Sequence, residues 1–265
     1  PPKLFLNTDL IELGSGSGQN TIVFDHLGAK CTLVEYDKKS FLNSKRLFKE
    51  YSKNKYNIIN KDLFNLNIKK KFDFVISNGV AHHTKNPKKN LELCCKLLKD
   101  KGFFILGICL KSGWFQRNLQ RAILFSTSSS EEEIIKNSKI LFKENLLRSK
   151  KYGGRTDLQI IYDTYVNPRI KAVEIEDIIK IFKKNKITIY STYNNLKSLG
   201  NFLKADYIQH RQFNLIPPKS KKDSILSKFQ EFSLSNNKFS NNDFLKKIND
   251  LNFLLDKVTN QFNDI

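Results

Sequence analysis

Between residues 9 and 110 the chain alternates short apolar runs with longer segments whose apolar residues recur every three to four positions. That rhythm predicts an α/β fold with a doubly wound, mostly parallel sheet. Five runs read as strands: "DLIEL" (9 to 13), "CTLVE" (31 to 35), "YNIIN" (56 to 60), "FDFVIS" (72 to 77) and "FFILGICL" (103 to 110). Between the first two, "NTIVFDHLG" (20 to 28) predicts a helix with Ile22, Val23 and Leu27 inward and Gly28 as its stop. A Lys-rich helix runs to about Tyr51. Residues 86 to 102 predict another, begun by Pro87, with Leu91, Cys94 and Leu98 on one face and Gly102 ending it.

After the fifth strand the alternation stops, and residues 111 to 172 read as a helical insertion. It holds an aromatic-basic helix (113 to 125), a helix opened by the capping pair Ser130 and Glu133, and a hinge-like "YGGR" (152 to 155). The pattern resumes with a helix over 173 to 185, striped by Ile175, Ile178, Ile179 and Phe182, and a strand "KITIYST" (186 to 192) that closes the sheet. From residue 207 the composition shifts to Lys, Asn, Ser and Phe. Phe244, Ile248, Leu251, Leu255, Val258 and Phe262 form a narrow stripe there, suited to docking on the chain's own domain or, as the rarer outcome, to a homodimer. The expected organisation is therefore a core over 1 to 110, an insertion capping the substrate over 111 to 172, closing elements over 173 to 206 and a helical C-terminal extension over 207 to 265.

Composition changes this picture little. No apolar run reaches the roughly 18 to 20 residues of a membrane span, and the start lacks the pattern of a secretory signal, so a cytoplasmic location is expected. With no methionine in the chain and a first strand near residue 9, an upstream segment is expected in the natural protein. Cys31, Cys94, Cys95 and Cys109 show no zinc spacing and read as buried thiols. The net charge of +20 invites a nucleic-acid partner, but only Arg46, Arg117, Arg121, Arg148, Arg155, Arg169 and Arg211 are arginines, the residue best suited to bidentate phosphate contacts. A lysine-rich solvated surface is the favoured reading.

Candidate chemistry sits in "IELGSGSGQN" (11 to 20). A strand, three alternate glycines and a helix let the backbone approach a ligand closely. No Gly-Lys-Ser/Thr follows, which removes the P-loop reading. Glu35 ends the second strand seventeen residues after Gly18, where a carboxylate accepts both hydroxyls of a ribose. That spacing suits NAD and S-adenosylmethionine alike. The loop reads GxGxG rather than GxGxxG, and Glu12 would repel a pyrophosphate yet orient the amino-acid end of a sulfonium cofactor; both features favour the latter.

At this point the sequence resembles the class I, Rossmann-like S-adenosylmethionine-dependent methyltransferases, over about residues 9 to 110. "LIELGSGSGQNT", "LVEYD", "KDLFNL" (61 to 66), "FDFVISNGVAHHT" (72 to 84) and "CCKLLKDKGFFIL" resemble the family's successive motifs in order. The resemblance implies that Gly14, Ser15, Gly16 and Gly18 line the cofactor, Glu12 faces its methionine end and Glu35 binds its ribose. It further implies that Tyr36 packs on the adenine, Asp62 accepts from the adenine amine, Leu63 offers a backbone N–H, and Asn78 and Gly79 border the sulfonium and the substrate. Asp62 has a second reading as a turn cap.

The paired His82 and His83 recur in small-molecule members and are the candidate bases for a protonated acceptor. "YDTYVNPRIKAVEIEDIIKIF" (162 to 182) resembles the segment by which those members return to the sheet, and implies that Tyr165 and Arg169 face the substrate; a surface Arg after a turn is the alternative. Trp114 is a further candidate for the substrate side, although its periodicity also suits the core. "SNGV" departs from the Asn/Asp-Pro-Pro-aromatic motif of enzymes that methylate exocyclic base amines, and no cysteine stands where cytosine C5 enzymes need one. The expected function is methyl transfer to a small molecule. The alternatives are an RNA-binding or RNA-methylating protein and a non-catalytic partner subunit.

Overall fold

The computed structural model describes residues 2–153, 155–167 and 170–190. Among these residues, unit 1 comprises 2–109 with Lys171–Thr188, and unit 2 comprises those from Leu110 to Ile170 with 189–190. The expected C-terminal extension and its 244 to 262 stripe lie outside the described residues, as does Arg169.

Unit 1 is built on a five-stranded parallel sheet in the order β3-β2-β1-β4-β5, with β1 Asp9–Leu13, β2 Lys30–Glu35, β3 Tyr56–Asn60, β4 Phe72–Asn78 and β5 Leu98–Gly107. Period-two alternation divides its side chains between two helical layers. Leu10, Cys31, Leu33, Phe74 and Ile76 pack with Phe48, Ile22 and Phe24, from the helices α1 (Thr21–His26) and α2 (Lys38–Tyr51). On the opposite face Ile11, Leu13, Val34, Phe72 and Val75 pack with Cys94 and Leu97 of α3 (Pro87–Leu97). Asn86 caps α3 by accepting the Lys89 N–H at 3.0 Å, and Pro87 supplies its first turn.

Five expectations are corrected here. Val23 is 55 % exposed, because α1 is only two turns long and turns Thr21 and Asp25 inward instead. Gly102 does not end α3; the helix stops at Leu97 and Gly102 lies inside β5. The pairing steps from Phe72↔Leu98 to Phe74↔Phe103, and a side chain at 102 would meet the Asp73 carbonyl at 2.9 Å, so close backbone approach explains this glycine. The strand also stops at Gly107, so 108 to 110 do not extend it. Tyr152 and Gly153 are no hinge, since they complete a helix, α6, over Lys143–Gly153. Finally, residues 187 to 190 pair with no described strand: Lys186 takes φ +56° and the Ile187 N–H turns back to the Phe182 carbonyl at 2.8 Å.

That last turn closes α8 (Ile175–Lys184), which belongs to unit 1 and packs on α3 through the Lys88–Asp177 and Lys184–Glu92 ion pairs and on β5 through Phe182 against Phe104. Ile178 and Ile181 are its buried residues. Unit 2 comprises α4 (Lys111–Thr127), α5 (Glu131–Leu141), α6, α7 (Asp157–Ile161) and a π-helical turn over Tyr162–Val166. Ser130 caps α5 from the Glu133 N–H, as its sequence predicts. Leu124, Ile134, Leu146, Ile160, Ile161 and Tyr165 form this unit's core. No helix among the described residues is long and apolar enough to cross a membrane.

Candidate functional site

The loop after β1 folds back on β2. The Gly14 and Ser15 N–H groups both donate to the Val34 carbonyl, at 2.8 and 3.1 Å. Gly14, Gly16 and Gly18 have φ of +71°, +56° and +80°, a backbone region that disfavours side chains. At Gly14 a Cβ would also sit 2.5 Å from Val80 Cγ2, so the loop rests against the segment that follows β4. At Gly16 a Cβ would meet nothing within 4 Å. The bend therefore presents open space on one side and a packed wall on the other.

Glu35 closes the loop from β2. Its Oε2 accepts the Gly16 N–H at 2.7 Å and its Oε1 the Asp37 N–H at 2.8 Å. Asn60, at the end of β3, donates to the Glu35 and Tyr36 carbonyls at 2.8 and 3.0 Å, fixing this corner from below. Tyr36 is 76 % exposed. The Ser15 hydroxyl is buried and finds no hydrogen-bond partner among the described residues. An orphaned buried hydroxyl beside the open Gly16 and an anchored carboxylate fits a polar nucleoside cofactor.

Glu12 follows from the alternation in β1, which turns it with Leu10 toward α1. It is buried, and its carboxylate accepts the Thr21 hydroxyl at the start of α1. Burial lifts its pKa to about 7, with the Glu35 charge acting in the same direction against the Thr21 hydrogen bond. Asp62 Oδ1 accepts the Phe64 N–H at 2.9 Å and caps the 3₁₀ turn Leu63–Asn65, which is the turn-cap geometry. Asn78 and Gly79 are exposed at the carboxyl end of β4, and the Gly79 N–H donates to the Gly107 carbonyl at 2.9 Å. A Cβ on Gly107 would overlap the Asn78 carboxamide oxygen, so this glycine makes room for Asn78.

His82 and His83 lie in the 3₁₀ turn Ala81–His83, with ring centroids 4.2 Å apart. His82 is buried and His83 half-buried. The strand order thus gathers Glu12, Gly14, Ser15, Gly16, Gly18, Glu35, Tyr36, Asp62, Leu63, Asn78, Gly79 and both histidines at or just beyond the carboxyl ends of β1 to β4. Open α/β sheets bind ligands at that end.

The substrate-side candidates fall in unit 2. Trp114 is half-buried in the first turn of α4. Tyr165 is 0 % exposed; its hydroxyl bonds Gln120 at 3.1 Å and Arg117 at 3.0 Å, so in this conformation it packs the core of its unit and lines no opening. Sequence reasoning missed Arg121, which is buried and donates to the Thr164 and Tyr165 carbonyls at 3.2 and 3.0 Å. Desolvation lowers its pKa to about 10. Nothing local marks it in the sequence, because its acceptors arise only from a π turn more than forty residues away. Thr21 and Val80 were missed for the same reason: they matter through Glu12 and Gly14, which lie far from them along the chain or beside another strand.

These features define a Rossmann-like domain with a glycine loop after β1 and a carboxylate at the end of β2. Residues 11–106 match the family described as "Methyltransferase domain", so this segment carries the pattern of a class I S-adenosylmethionine-dependent methyltransferase domain. Two solved structures of PKMT2 from Rickettsia typhi, the second in complex with AdoHcy, are similar to it. Each is 20 % identical with TM-scores of 0.57 and 0.54, and each covers 70 % of this chain. The matches span 39 % and 42 % of those chains, about two fifths of their length. No curated protein matches the chain significantly.

Proposed function

We propose that this protein transfers the methyl group of S-adenosylmethionine to a small-molecule acceptor. The single observation that carries the cofactor half of this reading is Glu35, held by the Gly16 and Asp37 N–H groups where a ribose diol would be received. When bound, the sulfonium cofactor supplies an already activated methyl group. The chain's own task is then mainly alignment and the exclusion of water.

Each residue has a part in that alignment. Glu35 accepts the ribose hydroxyls, and the Gly14 to Gly18 turn offers backbone without side chains. The Ser15 hydroxyl gains a partner. Glu12 orients the amino-acid end, Asp62 uses the carboxylate oxygen that does not cap the turn to receive the adenine amine, and Leu63 offers its N–H. Tyr36, largely exposed, covers the adenine face. Asn78 and Gly79 border the reacting methyl group, and His83 stands nearby to take a proton where the acceptor carries one.

The small-molecule half rests on the SNGV sequence at the end of β4, which lacks the proline pair suited to an extruded base, and on a positive charge composed mainly of lysine. Its test is incubation with methyl-tritiated S-adenosylmethionine and, separately, low-molecular-weight, RNA and protein fractions of a cell extract. Label is expected in the low-molecular-weight fraction. Label confined to RNA or protein would contradict the acceptor class.

A further inference from the structure

The chain leaves unit 1 after Cys109 and returns at Lys171. Both crossing points are hydrogen-bonded to one residue of unit 1, His82. The Cys109 N–H donates to His82 Nδ1 at 3.3 Å, and the Lys171 N–H donates to the His82 carbonyl at 2.7 Å. Outgoing and returning segments also pair directly, since the Val173 N–H donates to the Cys109 carbonyl at 3.1 Å. The Lys171 ammonium reaches the Lys85 carbonyl at 3.3 Å. His82 is buried in the turn just after β4, four residues beyond Asn78.

A backbone N–H can only donate, so the nitrogen that accepts it carries no proton. Neutral imidazole must then hold its proton on Nε2. Such a ring has spent its lone pair on Cys109 and has no second one to receive a proton from an acceptor. We propose that His82 is a positioning residue, locked as the Nε2–H tautomer, whose ring and carbonyl together fix where the chain departs into and returns from the insertion beside Asn78 and Gly79. Only the description of Asn78 and Gly79 as the reacting end rests on the methyltransferase reading; the tautomer and the two anchors do not.

The test separates the two nitrogens. Asparagine places its carboxamide oxygen close to the position of Nδ1, glutamine reaches toward Nε2, and alanine supplies neither. The chain has four histidines, so a long-range ¹H–¹⁵N spectrum of the whole protein at neutral pH resolves few rings, and His82→Asn identifies the one that disappears. That ring is expected to be protonated on Nε2 alone.

Trypsin cleavage after Lys111 and Lys171, measured relative to all other sites, reports on the crossings. It is expected to stay within about twofold of the parent in His82→Asn and to rise about tenfold or more in His82→Gln and His82→Ala, a loss of the order of one hydrogen bond. A proton on Nδ1 of the parent protein, or equal acceleration in the Asn and Ala variants, overturns the proposal. Should the His82 variants fail to fold, His26→Gln, His83→Gln and His210→Gln remove the other rings in turn, and the parent ring left unassigned by them is that of His82. Failure of the parent to bind S-adenosylhomocysteine while its tautomer stands as expected would count against the enzyme reading alone.

Discussion

Gly14 and Gly16 are two residues apart in one loop and share a positive φ, yet a methyl group has different consequences at each. Gly14→Ala adds a contact with Val80 to the backbone strain, whereas Gly16→Ala adds strain only. Strain of this kind costs roughly 1–3 kcal/mol, and overpacking a comparable further amount. Gly14→Ala is therefore expected to lower the denaturant midpoint more than Gly16→Ala, and Val80→Ala in the same chain to restore part of the difference. Equal losses would mean that Val80 yields freely.

Glu12 gives a second expectation, with a defined sign. Its folded pKa of about 7 lies above the ordinary carboxyl value of 4.5, so between those pH values the folded state binds the extra proton. The contribution of Glu12 to stability is then greatest below pH 4.5 and falls as pH rises through 7. Glu12→Gln is expected to flatten that part of the stability curve and to stabilise the fold at pH 8 by an amount on the order of a few kcal/mol. A parallel curve in the variant would contradict the assignment. The sequence named both residues, because glycines and a carboxylate at that spacing announce the loop; it could not name Val80 or Thr21, whose importance exists only once β1, α1 and the turn after β4 are side by side.

Among the elements, those with a strict period were readable and those set by tertiary closure were not. β1 and β3 occupy the predicted residues, since each is an apolar run bounded by turn-forming residues. The end of α3 was misplaced, because Gly102 looks like a helix stop and is in fact a glycine forced by the Asp73 carbonyl. The start of α3 was clear from Asn-Pro. Its cap is expected to matter: Asn86→Ala should cost about 1 kcal/mol in chemical denaturation, and Asn86→Asp much less. A neutral alanine variant would show that α3 is held by its packing on β4 and α8 alone.

For the molecule as a whole, a charge of +20 and a ligand of no net charge lead to opposite salt behaviour. Phosphate-backbone binding weakens steeply with ionic strength, while a site built from the Glu12, Glu35 and Asp62 carboxylates and backbone amides around a ligand without net charge depends little on it. Affinity for S-adenosylhomocysteine is expected to change less than about threefold between 50 and 500 mM salt. The most direct test of the central claim is calorimetric titration of the protein with S-adenosylhomocysteine, S-adenosylmethionine and NAD, beside Glu35→Ala. The account predicts saturable binding of the first two and none of NAD. It also predicts a loss of about tenfold or more in the variant, as expected for charge-assisted hydrogen bonds. Preference for NAD, or undiminished binding without the Glu35 carboxylate, would contradict it.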